Sequence, residues 1–330
     1  MSSAIHLRFL TAAVCMVLLG SVVPAAQFSA TLSGPVLGYV FDGNARNLRP
    51  LGGILGSATV GEPVALGFDV SQVLTLDASH VIASTDARSE LLTLNLKVKP
   101  VSVTPISGSR AGPTRAAASL KGTSAAFYYA DARQVLIVTG LPEKPVASHH
   151  VDLSRWGGAL TNMAVSNDGT LLVYAVDEGG REALYGWTAS SGSARFLTAA
   201  VSTGGVAITG NGAAIVADRG ANEVFAIWDA GGSGVRQFLA GVQDGVSSPT
   251  GVGVGDNNRI YVGNAGSASL TILDSSGQLL GTHSCGCPLS GVHLVRDSVF
   301  RLTDRTDRTI FLLDGGPAGE RILFVPPAKD

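Results

Sequence analysis

The fold is decided by one stretch of the chain, Asn211–Asp229, which reads NGAAIVADRGANEVFAIWD. Its Asn211-Gly212 pair favours a tight turn, and Ala214–Ala217 is an apolar run of strand length. Asp218–Asn222 then supplies a second turn before Val224–Trp228, which is typical of the next strand. The stretch therefore predicts two chained hairpins with short, tight connections.

The same order recurs along the chain, each time as a lone Asp or Asn between two apolar runs. The six marker residues are Asp86, Asp131, Asp177, Asp218, Asn264 and Asp304. Their intervals are 45, 46, 41, 46 and 40 residues, which is the period of a four-stranded propeller blade. We predict an all-β fold, a β-propeller, in which each recurrence is one blade.

The sequence indicates the number of blades less directly than it indicates the fold. Gly38–Asp42 followed by Leu48–Gly52 matches an outer hairpin such as Val224–Asp229 with Val235–Leu239, and no inner pair clearly precedes it. The sequence favours seven blades, one of them incomplete at the N-terminus. The alternative is six blades with an added hairpin. Closing either ring protects the sheet edges from pairing with other chains.

Composition agrees with short strands and tight turns. The chain has 330 residues, of which 42 are glycine and only 15% are charged, a balance that favours all-β repeats over helices with polar faces. Lys and Arg number 23 against 25 acidic residues, giving a net charge of −2. Such a chain has no strong positive field for a phosphate backbone, so we expect no nucleic-acid partner.

The N-terminus has the layout of a secretory signal peptide. His6 and Arg8 precede an apolar run over Phe9–Val23, and small residues follow at Ala25 and Ala26. We predict a signal peptide over residues 1–25, a single propeller domain over residues 26–330, and a periplasmic or extracellular location. The alternative is an uncleaved anchor, but this run is shorter than the ~20 residues that span a bilayer. No membrane span is expected after cleavage.

Two repeats resemble known propeller families. Ile215–Val224 (IVADRGANEV) resembles an NHL repeat, and Ile260–Gly266 (IYVGNAG) with Ile272–Asp274 resembles a YVTN repeat. Val165–Thr170 is similar to the Ser-Pro-Asp-Gly turn of TolB-like and WD-type blades, with Asn167 in place of proline. The resemblance implies a secreted, bacterial NHL/YVTN-type propeller. It implies no substrate, because many unrelated functions share this fold.

The six marker residues are themselves candidate ligands. In a propeller, the turn after each second strand and the loops between blades open on one face, so these side chains would form a ring of oxygen atoms there. Ca²⁺ accepts such ligands. The competing interpretation is that each Asp or Asn accepts backbone N–H groups of its own turn, a role that every blade needs. We expect no cofactor, with Ca²⁺ as the alternative.

The loops between blades differ from one another, and unlike loops are where a ligand is recognised. Arg110 lies beside Gly112-Pro113, and Arg155 and Trp156 precede Gly157-Gly158. An arginine beside an exposed tryptophan suits a planar or sugar-like ligand. Alternatively, Trp156 fills the space between two blades.

Cys285, Cys287 and His283 are the only cluster of soft ligands. A Cys285–Cys287 disulfide suits an exported protein. Free thiols and a metal site remain alternatives, although no fourth metal ligand is evident.

Together these features predict an exported binding scaffold for a protein, peptide or carbohydrate. The alternative is a metal-dependent hydrolase of the lactonase or gluconolactonase kind, with its site at the channel mouth. The sequence contains no Gly-x-Ser-x-Gly, His-Glu-x-x-His or Walker-type motif that would identify an enzyme.

Overall fold

Antiparallel sheets make up almost all of the regular secondary structure in the computed structural model, which describes residues 34–303 and 306–327. Over these residues there are seven sheets, six with four strands and one with three. We call them blades 1 to 7 in chain order. The predicted signal peptide, residues 1–25, and the marker Asp304 lie outside the described residues.

The first four blades contain strands β1 to β15. Blade 1 contains β1 (Val36–Asp42), β2 (Asn47–Gly52) and β3 (Thr59–Val60). Blade 2 contains β4 (Gln72–Thr75), β5 (His80–Ser84), β6 (Leu92–Asn95) and β7 (Ser102–Pro105). Blade 3 contains β8 (Arg115–Ala118), β9 (Ser124–Tyr129), β10 (Gln134–Thr139) and β11 (Val146–Asp152). Blade 4 contains β12 (Leu160–Val165), β13 (Leu171–Asp177), β14 (Glu182–Thr188) and β15 (Ala194–Ala200).

The last three blades contain β16 to β27. Blade 5 contains β16 (Thr203–Ile208), β17 (Ala214–Asp218), β18 (Glu223–Trp228) and β19 (Val235–Ala240). Blade 6 contains β20 (Pro249–Val254), β21 (Ile260–Asn264), β22 (Ser269–Leu273) and β23 (Leu279–Ser284). Blade 7 contains β24 (His293–Arg296), β25 (Val299–Arg301), β26 (Ile310–Asp314) and β27 (Arg321–Val325). A short 3₁₀ helix, Val242–Asp244, lies between blades 5 and 6.

The core consists of seven apolar clusters, one at each boundary between neighbouring blades. The ring closes where Leu37 and Leu51 of blade 1 pack with Val295 and Ile310 of blade 7. A further cluster joins Tyr39 of blade 1 to blade 2. The seven-bladed prediction is confirmed. Among the described residues, no helix is long and apolar enough to cross a bilayer.

Burial across each blade explains why the repeat was visible in the sequence. The second strands β9, β17 and β21 are buried on both faces, since each is covered by a blade on either side. Their sequences are therefore continuous apolar runs, without the alternation of apolar and polar residues that a half-exposed strand shows. The fourth strands are largely exposed, as in β19. Their sequences are correspondingly polar and harder to recognise.

One prediction about blade 1 was wrong. The hairpin formed by Gly38–Asp42 and Leu48–Gly52 is not the outer pair, because β3 pairs with β2 on its outer side, Leu51 opposite Val60. Its turn instead repeats the one between second and third strands. Asp42 comes four residues before the positive-φ residue Arg46, as Asp218 comes four residues before Asn222. Within the described residues, blade 1 therefore has the counterparts of strands two to four.

Candidate functional site

The turns after the second strands and the loops between blades do lie on the same face, and hydrogen bonds join them. The carboxylate of Asp218 is 1% exposed. It accepts the backbone N–H groups of Gly220 and Ala221 in its own turn, at 3.0 and 3.1 Å. It also accepts those of Val201 and Ser202 in the preceding loop, at 2.7 and 3.0 Å. Four backbone donors thus occupy this carboxylate.

Asn264 takes the same position in blade 6. It is fully buried, its Oδ1 accepts the N–H of Ser247 at 3.1 Å, and its Nδ2 donates to Thr271 Oγ1 at 2.9 Å. Asp42, which the spacing analysis did not single out, is a third example. It accepts the N–H groups of Asn44 and Ala45 at 3.0 and 3.1 Å.

The remaining described markers are exposed, and each has a different partner. Asp86 pairs with Arg46 of blade 1, Asp131 pairs with Arg110, and Asp177 accepts the N–H of Gly180 at 3.0 Å. Two of the described markers, Asp218 and Asn264, are therefore buried and hold the loop before their blade. Asp177 is an exposed cap of its own turn, and Asp86 and Asp131 are surface carboxylates in separate ion pairs. Over residues 34–303 and 306–327, no three His, Cys, Asp or Glu side chains come together as a metal site would require.

Arg110 forms a fork with Asp131. Its two terminal nitrogens lie 2.6 and 2.9 Å from the carboxylate oxygens, and its guanidinium carbon lies 4.5 Å from the ring centre of Tyr129. The hydrogen bond from Arg110 holds the pKa of the Asp131 carboxyl below its ordinary value. Arg110, in the loop between blades 2 and 3, is thus already bound to the turn between the second and third strands of blade 3.

Replacing Arg110 by alanine is expected to raise the pKa of Asp131 toward the ordinary aspartate value of about 3.9, because the bonds that favour the charged form are lost. The measurement is an NMR titration of the side-chain carboxyl carbon of Asp131 in both proteins. Asp274, whose pKa is lowered by hydrogen bonds within its own turn, serves as the internal reference, and its pKa should not change. An Asp131 titration that is the same in both proteins would contradict the assigned cause.

Arg155 and Trp156 lie together in the loop between blades 3 and 4. The Arg155 guanidinium carbon is 4.0 Å from the Trp156 ring centre, and a terminal nitrogen donates to the carbonyl of Ala194 at 2.8 Å. The indole is half-buried and packs edge-on against Tyr174 and Tyr185, with centroid distances of 5.6 and 4.9 Å. Trp156 therefore covers the boundary between two blades while Arg155 lies over it at the surface.

An aromatic row continues from Trp156 onto the outer part of blade 4. The ring of Tyr185 lies 6.0 Å from that of Phe196, which is 57% exposed. The Tyr185 hydroxyl donates to Glu178 at 2.7 Å, and partial burial followed by this hydrogen bond raises the pKa of Tyr185. We call Arg155, Trp156, Tyr185 and Phe196 the rim patch. The sequence analysis missed its last two members, because nothing in their spacing shows that they approach a loop.

Cys285 and Cys287 form a disulfide, with their Cα atoms 5.0 Å apart. Cys287 is buried and belongs to the cluster between blades 6 and 7. His283 lies on β23, where it faces Leu270 of the neighbouring strand in the register. The two sulfur atoms are bonded to each other and do not present thiolates to a metal.

A cavity of about 510 Å³ lies along the axis of the ring. The first strands of blades 2 to 7 line it, mainly with alanine, glycine and valine, whereas blade 1 contributes only Phe41. His293 and Arg301 are the titratable side chains on the described part of its wall.

No family model and no curated protein sequence matches the chain. Solved structures do match. Virginiamycin B lyase from Staphylococcus aureus is 13% identical with a TM-score of 0.54, and the match covers 78% of this chain and 84% of that one. Hydrazine synthase from Kuenenia stuttgartiensis is 15% identical with a TM-score of 0.51, covering 93% and 99%. A chain of a nidogen/laminin complex is 11% identical with a TM-score of 0.50, covering 78% and 98%.

The chain is a β-propeller. At such identities the likeness shows the fold alone, and proteins of quite different kinds share it. The NHL/YVTN character of the repeats stays a prediction. What distinguishes this propeller must be sought in its own side chains, and the rim patch combines a cation with several aromatic rings.

Proposed function

We propose that this propeller is an exported binding scaffold and that the rim patch is its recognition surface for a protein or peptide. The stacking of Arg155 on Trp156 is the observation that carries the proposal. Arginine, tryptophan and tyrosine are the residues that most often dominate binding energy at interfaces. Here they are held in place before any partner arrives, which reduces the entropy lost on binding.

The arrangement of the patch supports this role. Arg155 is anchored by its bond to Ala194, and Tyr185 by its bond to Glu178. Phe196 extends the apolar surface outward from the half-buried indole. A partner would thus meet an ordered apolar strip with a positive charge at one end, which suits an aromatic or aliphatic anchor beside a carboxylate.

Two further points support export and binding. A Cys285–Cys287 disulfide suits an oxidising compartment such as the periplasm or the extracellular space, in agreement with the predicted signal peptide. One of the similar folds belongs to a complex between proteins, a precedent for a propeller that acts through a partner. No observation on the described residues favours the alternative of a metal-dependent hydrolase.

The proposal is tested by placing a photo-crosslinking amino acid at position 196. The matched control places the same amino acid at position 238, because Phe238 has the same exposed position on the fourth strand of blade 5 and is 59% exposed. A specific partner should be captured at position 196 and not at position 238. Equal capture at both positions, or none at either, contradicts the proposal.

The double substitution Arg155→Ala with Phe196→Ala is expected to weaken that captured partner's binding about 30-fold, the loss of roughly 2 kcal/mol of hot-spot energy. Both side chains are exposed, so the thermal midpoint should stay within about 2 °C of the wild type. Binding is measured by surface plasmon resonance, with Phe238→Ala as the control variant. Unchanged affinity in the double variant would remove the rim patch from the interface.

A further inference from the structure

A second pocket lies on the face opposite to the loops between blades. It has a volume of about 440 Å³, within the range of about 300–1,000 Å³ that ligand clefts occupy. Blades 5 and 6 provide most of it, through turns that join first to second strands and third to fourth strands. Its principal side chains are Leu120, Lys121, Asn211, Trp228, Asp256 and Asn258.

One wall of this pocket comes from blade 3. Leu120 reaches from the turn after β8 and packs against the apolar cluster between blades 5 and 6. The turn is fixed by a bond from the Lys121 N–H to Asn167 Oδ1 at 2.8 Å. Gly122 adopts a φ of +66°, a conformation that favours glycine. The same Leu120 also borders the central cavity, so its side chain separates the two spaces.

The pocket combines an aromatic ring with polar groups that have no partner in the protein. The Trp228 indole donates its N–H to Gln237 Oε1 at 2.6 Å, which fixes the ring plane. The Lys121 ammonium, the Asp256 carboxylate and the Asn258 carboxamide form no hydrogen bond or ion pair with any described residue. They supply donors and acceptors that a ligand can use.

The charges of the pocket favour a ligand without net charge. Lys121 and Asp256 bring one charge of each sign, so an anion would meet the carboxylate and a cation would meet the ammonium. A sugar satisfies all of these groups, because its hydroxyls both donate and accept. Where the ring hydroxyls are equatorial, the sugar also presents a flat C–H face that can be buried against an indole.

We propose that this pocket binds a neutral saccharide, with a sugar ring packed on Trp228 and its hydroxyls bonded to Lys121, Asp256 and Asn258. The site is separate from the rim patch and is independent of the proposed function. The propeller would thus hold a carbohydrate on one face and a protein or peptide at its rim.

Cellobiose is the probe, because all of its ring hydroxyls apart from the anomeric position are equatorial. Isothermal titration calorimetry should give a dissociation constant of about 1 mM, while the open-chain polyol sorbitol should give no heat of binding. Cellobiose should also change the tryptophan fluorescence. No binding of cellobiose up to about 50 mM, or equal binding of sorbitol, would overturn the proposal.

Two variants locate the site without disturbing the core. Asn258→Gly removes the carboxamide but tolerates the φ of +58° at this position, and Asp256→Ala alters an exposed turn residue. Each should weaken cellobiose binding about tenfold. Asn44→Ala, in a turn on the opposite face, is the control and should bind as the wild type does. If the Asn258 and Asp256 variants also bind like the wild type, the sugar binds elsewhere and the assignment is wrong.

Discussion

Asp218→Ala is expected to lower the free energy of unfolding by about 4 kcal/mol. The substitution removes the acceptor of four partly buried backbone N–H groups, of which only that of Gly220 keeps a second acceptor, the Ser202 carbonyl at 3.3 Å. A buried donor left without a partner costs about 1–3 kcal/mol. The loss falls below the simple sum, because water can enter part of the turn. Urea denaturation of both proteins, followed by circular dichroism, measures the difference.

Asp218→Asn is the matched control. Its remaining oxygen can still accept the donors of Ser202, Gly220 and Ala221, which all bond to Oδ1. Only the donor of Val201, which bonds to Oδ2, loses its acceptor. We expect a cost of about 1–2 kcal/mol. Equal losses for the alanine and asparagine variants would show that the charge, and not the capping geometry, stabilises the turn.

Gly251→Ala is expected to cost about 3 kcal/mol or more, through overpacking. An added Cβ would lie 2.6 Å from the nitrogen of Val292 and 3.0 Å from the carbonyl carbon of Gly291. Both are backbone atoms of the neighbouring blade, so no side-chain rotation relieves the clash. Blades 6 and 7 would have to move apart. Urea denaturation again measures the effect.

Gly52→Ala provides the comparison. Gly52 also lies on a strand, at the end of β2, but an added Cβ there meets no atom within 4 Å. Its free energy of unfolding should therefore stay within about 0.5 kcal/mol of the wild type. A small effect at position 251 would mean that neighbouring inner strands can separate at little cost.

The architecture could be predicted from the sequence because burial between blades leaves a strong signal. A second strand such as β17 has a blade on both sides, so its residues Ala214–Ala217 are all apolar, and the turn after them needs a polar cap such as Asp218. That combination recurs often enough to count blades. The sequence analysis assigned the first hairpin of blade 1 one strand too far out, because the outer strand of that blade, Thr59–Val60, is too short to recognise.

The candidate site was much less predictable. Spacing marked Asp131 as the equivalent of Asp218, but the residue four positions before the positive-φ Arg133 is Tyr129. A shift of two residues turns a buried cap into a surface carboxylate. The rim patch depends on the distance between a loop and a strand of the next blade, and the second pocket depends on Leu120 crossing from blade 3. Neither contact can be inferred from the local periodicity of the sequence.

The seven apolar clusters have a consequence for how this molecule can fail. In an open stack of repeats, an end unit touches one neighbour only and can fray without disturbing the others. A closed circle has no end unit, because each wedge is held from both sides. Damage at any single boundary therefore removes support from two wedges together, and the whole circle is expected to come apart in one cooperative step.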